Sequence, residues 1–166
     1  MRHLVASAAL VGFILSLVVH ISALLGVVLS SNIAPVWLLH VGIFVVFIPF
    51  VFSSRAVLGS RPSLAKVRAL FPAWVVALGV VVFAYAAVNF LLFVLHTEGG
   101  SPSIRDGKYI LQSHGHLIRE ISSAEYAAFK ANEVRGFSGH WLAFYYAPFA
   151  YFMFLKRPNH SVKRTA

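Results

Sequence analysis

Residues 4–29 read LVASAALVGFILSLVVHISALLGVVL, twenty-six positions without a single Asp, Glu, Lys or Arg. A bilayer core about 30 Å thick is crossed by roughly 20 apolar residues in a helix, so this run is long enough to span on its own. Met1-Arg2-His3 is a basic start and Ile21-Ser22-Ala23 resembles a small-residue cleavage site. Apolar regions of secretory signals run only about 7–15 residues, however, so the segment reads as an uncleaved signal anchor.

Working outward, three more uncharged runs appear at 33–52, 73–95 and 137–155. The composition agrees: 59% of the 166 residues are hydrophobic and 11% charged, where soluble domains carry about 25% charge. That balance excludes a soluble globular domain and equally a disordered chain. The absence of cysteine excludes disulfides, thiolate metal sites and redox thiols. The expected architecture is an all-α membrane protein, one integral domain over 1–166. Its four-helix transmembrane bundle has spans 4–29, 33–52, 73–95 and 137–155, with a small periplasmic insertion at 96–136.

Lys and Arg are retained on the cytoplasmic side of spans, which fixes the threading. Arg2, Arg55, Arg61, Lys66, Arg68, Lys156, Arg157, Lys163 and Arg164 all fall on one side. All five acids, Glu98, Asp106, Glu120, Glu125 and Glu133, fall on the other, where five cations balance them. The net charge of +9 is therefore cytoplasmic, and both termini are expected inside, in a bacterial inner membrane. These cations flank hydrocarbon spans and meet lipid headgroups, so no nucleic-acid partner is implied. Trp37, Trp74 and Trp141 lie near span ends, where indole rings favour the headgroup layer.

The insertion carries local signals. Lys108–Gln112 and His116–Ile121 flank His114-Gly115, the pattern of a β-hairpin with a two-residue turn. Ser122-Ser123-Ala124-Glu125 is a capping box, which starts a short helix at Ser123. Ile121 and Tyr126 are spaced for a hydrophobic staple, and Tyr126, Phe129, Val134 and Phe137 give the helix one apolar side. Arg135-Gly136-Phe137 is expected to turn the chain into the fourth span. The basic stretch 53–72 is expected to hold a short interfacial helix through Arg68, with Pro62 at its first position.

No carboxylate lies inside a span, which argues against proton pumps, cation-coupled transporters and intramembrane aspartyl proteases. No phosphate loop, nucleophile elbow or dinucleotide fingerprint appears, so no catalytic residue is assigned and the chain is not expected to be an enzyme. Histidine remains. Gly12, Ser16 and His20 share a helix face of small residues, and antiparallel threading sets His40 at the depth of His20. His96 and His140 lie at the outer ends of the third and fourth spans. Two facing imidazoles can ligate haem, and three or four can hold a transition metal, with Gly12, Gly26 and Gly42 as room for a macrocycle. The plainer reading is that all four histidines make interhelical hydrogen bonds and no cofactor is present. Eight of the fifteen residues in 141–155 are aromatic and Pro148 is placed to kink them, a pattern of packing or of a cofactor box.

The stretches FSGHWLAFYY (137–146) and DGKYILQSHGHLIREISSAEYAAF (106–129) resemble the carboxy-terminal half of small, uncharacterised four-span bacterial membrane proteins. The resemblance implies the same four spans with a hairpin-plus-helix insertion, and implies no activity. The tail RPNHSVKRTA looks like peptides translated through the recombination repeats of mobile gene cassettes. The resulting expectation is a non-enzymatic accessory or interaction protein, for instance in envelope stress tolerance or toxin immunity. Its partners are the lipid bilayer and either its own copies or another membrane protein. Two alternatives stand beside it. One is a haem or metal protein; the other is a subunit of an oligomeric small-molecule permeation or efflux system, with a polar cavity lined by Asn89, Ser16 and Tyr85.

Overall fold

A computed structural model describes residues 1–27 and 34–156 of the chain. The expected turn Ser30-Ser31-Asn32 and the tail 157–166 lie outside the described residues. Helix α1 covers Arg2–Leu24, α2 Leu38–Leu58, α3 Leu64–Leu70, α4 Ala73–Leu95 and α5 Ser123–Phe154. A 3₁₀ turn, Ala34–Trp37, leads into α2. Strands β1 (Ser101–Arg105), β2 (Lys108–Ser113) and β3 (His116–Glu120) stand between α4 and α5. Among the described residues, three helices are long and apolar enough to cross a membrane: Arg2–Leu24, Pro35–Leu58 and Ala73–Leu95.

The ends of these helices are set by capping chemistry rather than by hydropathy alone. Helix α1 stops before the apolar run does, because Gly26 adopts φ +77°. Its amide donates to Ala23 O (3.1 Å) while Val27 N–H donates to Ser22 O (2.8 Å), the two bonds of a Schellman motif. The span expected to reach Leu29 therefore ends at Leu24, and Gly26 serves as a cap instead of opening space between helices. Helix α2 runs past Phe52, since nothing breaks it until Gly59 at φ +86°. Lys66 Nζ then donates to Leu58 O at 2.9 Å, placing a cation on the negative end of α2. Helix α3 is capped by Ser63, whose hydroxyl accepts from Lys66 N–H at 3.2 Å. Pro62 precedes that cap, so it is not the first helical residue.

The insertion holds one strand more than the expected hairpin. Its strands form an antiparallel sheet in the order β1-β2-β3, with Ile104 opposite Tyr109 and Gln112 opposite Leu117. Asp106-Gly107 and His114-Gly115 both have positive φ at each position, as tight hairpin turns require. The capping box is present, with Ser122 Oγ accepting from Glu125 N–H at 3.2 Å and Glu125 accepting from Ser122 N–H at 2.7 Å. Ile121, Leu111 and Phe129, joined by Tyr109 and Tyr126, form the core that seats the sheet on the first turns of α5.

The largest departure is α5. The chain does not turn at Arg135-Gly136-Phe137; the amphipathic segment and the aromatic segment are one continuous helix of 32 residues, running through Pro148. Gly136 sits in the helix because Phe93 of α4 lies against it, and a Cβ there would come 2.4 Å from the ring. Helix α5 is the post of the bundle. It packs against α1, α4 and α2 and buries fifteen residues. The Tyr145 ring fills the space over Gly12, where a Cβ would lie 2.2 Å away, and its hydroxyl lies against Gly42. At the far end the Arg2 guanidinium donates to the carbonyls of Phe152, Met153 and Leu155, so the first residue of α1 caps the last turn of α5.

Candidate functional site

Hydrogen-bonding side chains reach the middle of the bundle at three places. At the first, His20 of α1 is 2% exposed, with Nδ1 2.8 Å from Ser138 Oγ of α5 and Nε2 2.5 Å from Tyr85 OH of α4. The proton order follows from geometry. Ser138 Oγ lies 2.6 Å from Val134 O, a spacing that two oxygens hold only with the serine hydrogen between them. Ser138 must then accept from His20 Nδ1–H, and the neutral ring accepts at Nε2 from the Tyr85 hydroxyl. Three helices are tied by one imidazole, and both of its nitrogens are engaged.

At the second, Trp141 Nε1–H donates to His40 Nδ1 at 3.0 Å. An indole nitrogen is only ever a donor, so a neutral His40 carries its proton on Nε2. His140 lies beside it, with ring centroids 5.8 Å apart and nearly perpendicular. Phe137 completes the cluster, 6.1 Å from His40 and 5.6 Å from His140. Trp141, expected at a headgroup boundary, is instead fully buried; Trp37 and Trp74 remain exposed. Its burial follows from α5 being central, packed against α1, α2 and α4 on three sides.

At the third, Asn89 of α4 lies over Gly139 and donates to Arg135 O at 3.0 Å. One turn away Asn132 donates back to Phe93 O at 3.1 Å. Farther along α5, Tyr145 donates to Leu39 O (2.6 Å) and Tyr146 to Val75 O (2.7 Å). Of the expected candidates, the structure thus brings His40 and His140 together and gives His20 different partners, with no hydrogen bond or ring contact joining it to His40. His96 turns back on its own helix, Nδ1 2.6 Å from Leu92 O. The space over Gly12 and Gly42 is occupied by Tyr145. Among the described residues no three His, Cys, Asp or Glu side chains gather to hold a metal ion. Ser16, buried, has no partner for its hydroxyl among them.

Ser138 and Trp141 were the partners the sequence did not announce: a lone serine inside an apolar run, and a tryptophan whose position near a span end pointed to the surface. Outside the bundle, Glu125 is the most perturbed group. The Ser122 amide, then the Arg119 guanidinium at 2.7 Å and the Ser122 hydroxyl, hold its carboxyl at about 2. Those contacts are capping chemistry, and they raise Arg119 in return. The chain matches no family model, and no curated protein or solved structure matches it significantly.

Proposed function

We propose that this chain is a four-span protein of the bacterial inner membrane, with both termini cytoplasmic and the sheet periplasmic. We assign it the role of a non-enzymatic accessory or interaction protein. One observation carries the reading: most polar side chains inside the bundle are spent on neighbouring helices, with Ser16 Oγ and Arg135 Nε standing apart among the described residues. His20, Ser138, Tyr85, His40, Trp141 and Asn89 each join one helix to another. A nucleophile, general acid or metal ligand needs an available lone pair or proton, whereas groups engaged this way hold helices in register. The His20 tautomer favours the same side, since both of its ring nitrogens are engaged, by Ser138 and by Tyr85.

The fourth crossing is assigned to the aromatic half of α5, which is enclosed by the three apolar helices. The basic residues near the ends of α1, α2 and α3 support the cytoplasmic placement of those ends. Two experiments test the proposal. Phosphatase fusions at Gly107 are expected to be active and fusions at Gly59 inactive; the reverse pattern overturns the orientation. Detergent-purified protein is expected to show no Soret band and less than stoichiometric metal. A Soret band lost in His20→Ala instead establishes the haem reading.

A further inference from the structure

Beneath the sheet, where the ends of α1 and α4 meet α5, the structure contains a cavity of about 470 Å³, a size typical of ligand sites. Its walls are mainly apolar, with Leu24 of α1 and Phe129 of α5 among them. The charged groups that line it fall into two sets. At the sheet end, Arg119 donates to Glu98 (3.1 Å) and Glu125 (2.7 Å), so both carboxylates are engaged. At the other end stands Arg135, ten residues along α5 from Glu125 and therefore about 15 Å from it.

Arg135 is the unusual group. One terminal nitrogen donates to Asn132 Oδ1 at 2.8 Å, while its Nε is buried and has no partner among the described residues. No carboxylate among those residues pairs with it, Glu133 being taken by Lys130 at 2.8 Å. The other terminal nitrogen has no protein hydrogen bond among the described residues, so the guanidinium lines the cavity with donors to spare, and its planar fork matches the oxygens of a phosphate. On the same face of α5, one turn farther on, Ser138 holds His20, which in turn holds Tyr85, and the chain of bonds closes α1 and α4 together below.

We infer that this cavity binds the headgroup of a membrane phospholipid, with its phosphate on Arg135, its polar terminus extending past Phe129 toward the sheet, and its first acyl carbons against the exposed Leu24. The inference rests on the membrane reading above, which puts Arg135 two residues before the fourth span and so at headgroup depth. That depth, with Leu24 beside it, selects a lipid over a free anion.

The test uses full-length protein in a neutral detergent, titrated with dihexanoyl phosphatidylglycerol, with dihexanoylglycerol, and with inorganic phosphate. Native mass spectrometry counts adducts, and the thermal midpoint reports occupancy. The phospholipid is expected to bind and raise the midpoint, and the other two probes to do neither. Loss of a charge-assisted contact is expected to weaken binding about tenfold or more in Arg135→Gln, with Arg135→Lys retaining part of it. Because Arg135→Gln can also disturb packing, Ala128→Trp, at an exposed lining position, serves as an independent block. Equal phospholipid binding by wild type, Arg135→Gln and Ala128→Trp overturns the site, as does a midpoint raised equally by diacylglycerol. A response to inorganic phosphate alone overturns the lipid assignment. A chain that needs detergent yet ignores all three probes refutes the site and leaves the membrane reading standing; one that stays soluble without detergent refutes both.

Discussion

Helices α4 and α5 lie side by side and are built on opposite principles. Only Val75, Ala86 and Asn89 of the twenty-three residues in α4 are buried, although the helix is a nearly unbroken run of Val, Leu, Phe and Ala. Helix α5 carries Ser138, Asn132, four tyrosines and the helix-weakening Gly136 and Pro148, and yet buries fifteen residues. In water the more apolar helix would be the inner one. Here it is the outer one, as the proposed membrane setting accounts for: lipid tails are as apolar as leucine and give no reward for hiding it. What draws a helix to the centre of such a bundle is close contact and polar pairing. Glycines on α5 admit Phe93 and Asn89, and Tyr145 of α5 enters the spaces over Gly12 and Gly42.

That contrast can be broken by experiment. A charge on the outward side of α4, Val81→Arg, is expected to cost about 2.5–3.5 kcal/mol of membrane insertion; a neutral result in a translocon insertion assay removes lipid from the account. Filling the contact on the inner side, Gly12→Leu, forces a side chain into the Tyr145 ring and is expected to destabilise the bundle by about 1–3 kcal/mol. Reversible unfolding in mixed micelles measures it, and Val81→Leu serves as the near-silent control. Ser138→Ala removes one interhelical hydrogen bond, an effect of about 0.6 kcal/mol on average in membrane bundles. A double-mutant cycle with Tyr85→Phe sharpens the comparison, since both act through His20 and their effects should not add.

The smallest effect is expected outside the bundle. Glu125 is held at about 2, below its ordinary 4.5. A carboxyl lowered on folding contributes stability that is complete above 4.5 and is lost as pH falls toward 2. Protection factors of the first α5 turn, taken against the intrinsic exchange rate at each pH, should therefore fall across that interval in wild type and be flat there in Glu125→Gln. Protection factors independent of pH in both proteins remove the capping box as the cause.

The sequence was most legible where hydropathy and capping agree. The 73–95 run coincides with α4, and Ser122 through Glu125 start α5 as their spacing requires. It was least legible where a residue has two uses. Gly26 looked like a packing glycine and is a cap; Gly136 looked like a turn and is a seat for Phe93. Strand β1 carries no sequence signal because Ser-Pro-Ser-Ile-Arg has little strand propensity, and its proline is tolerated only because the strand is at the sheet edge. The histidines were visible as polar residues in oil, but their partners were not. Ser138 and Trp141 become partners only once α5 is known to be central.

The continuity of α5 has a mechanical meaning. Thirty-two residues make a rod about 48 Å long, exceeding the roughly 30 Å thickness of a hydrocarbon layer. The sheet is bolted to one tip through Tyr109 and Tyr126, and Arg2 grips the other. The helix is continuous from one attachment to the other, so the sheet and the amino terminus of the chain are joined through a single element.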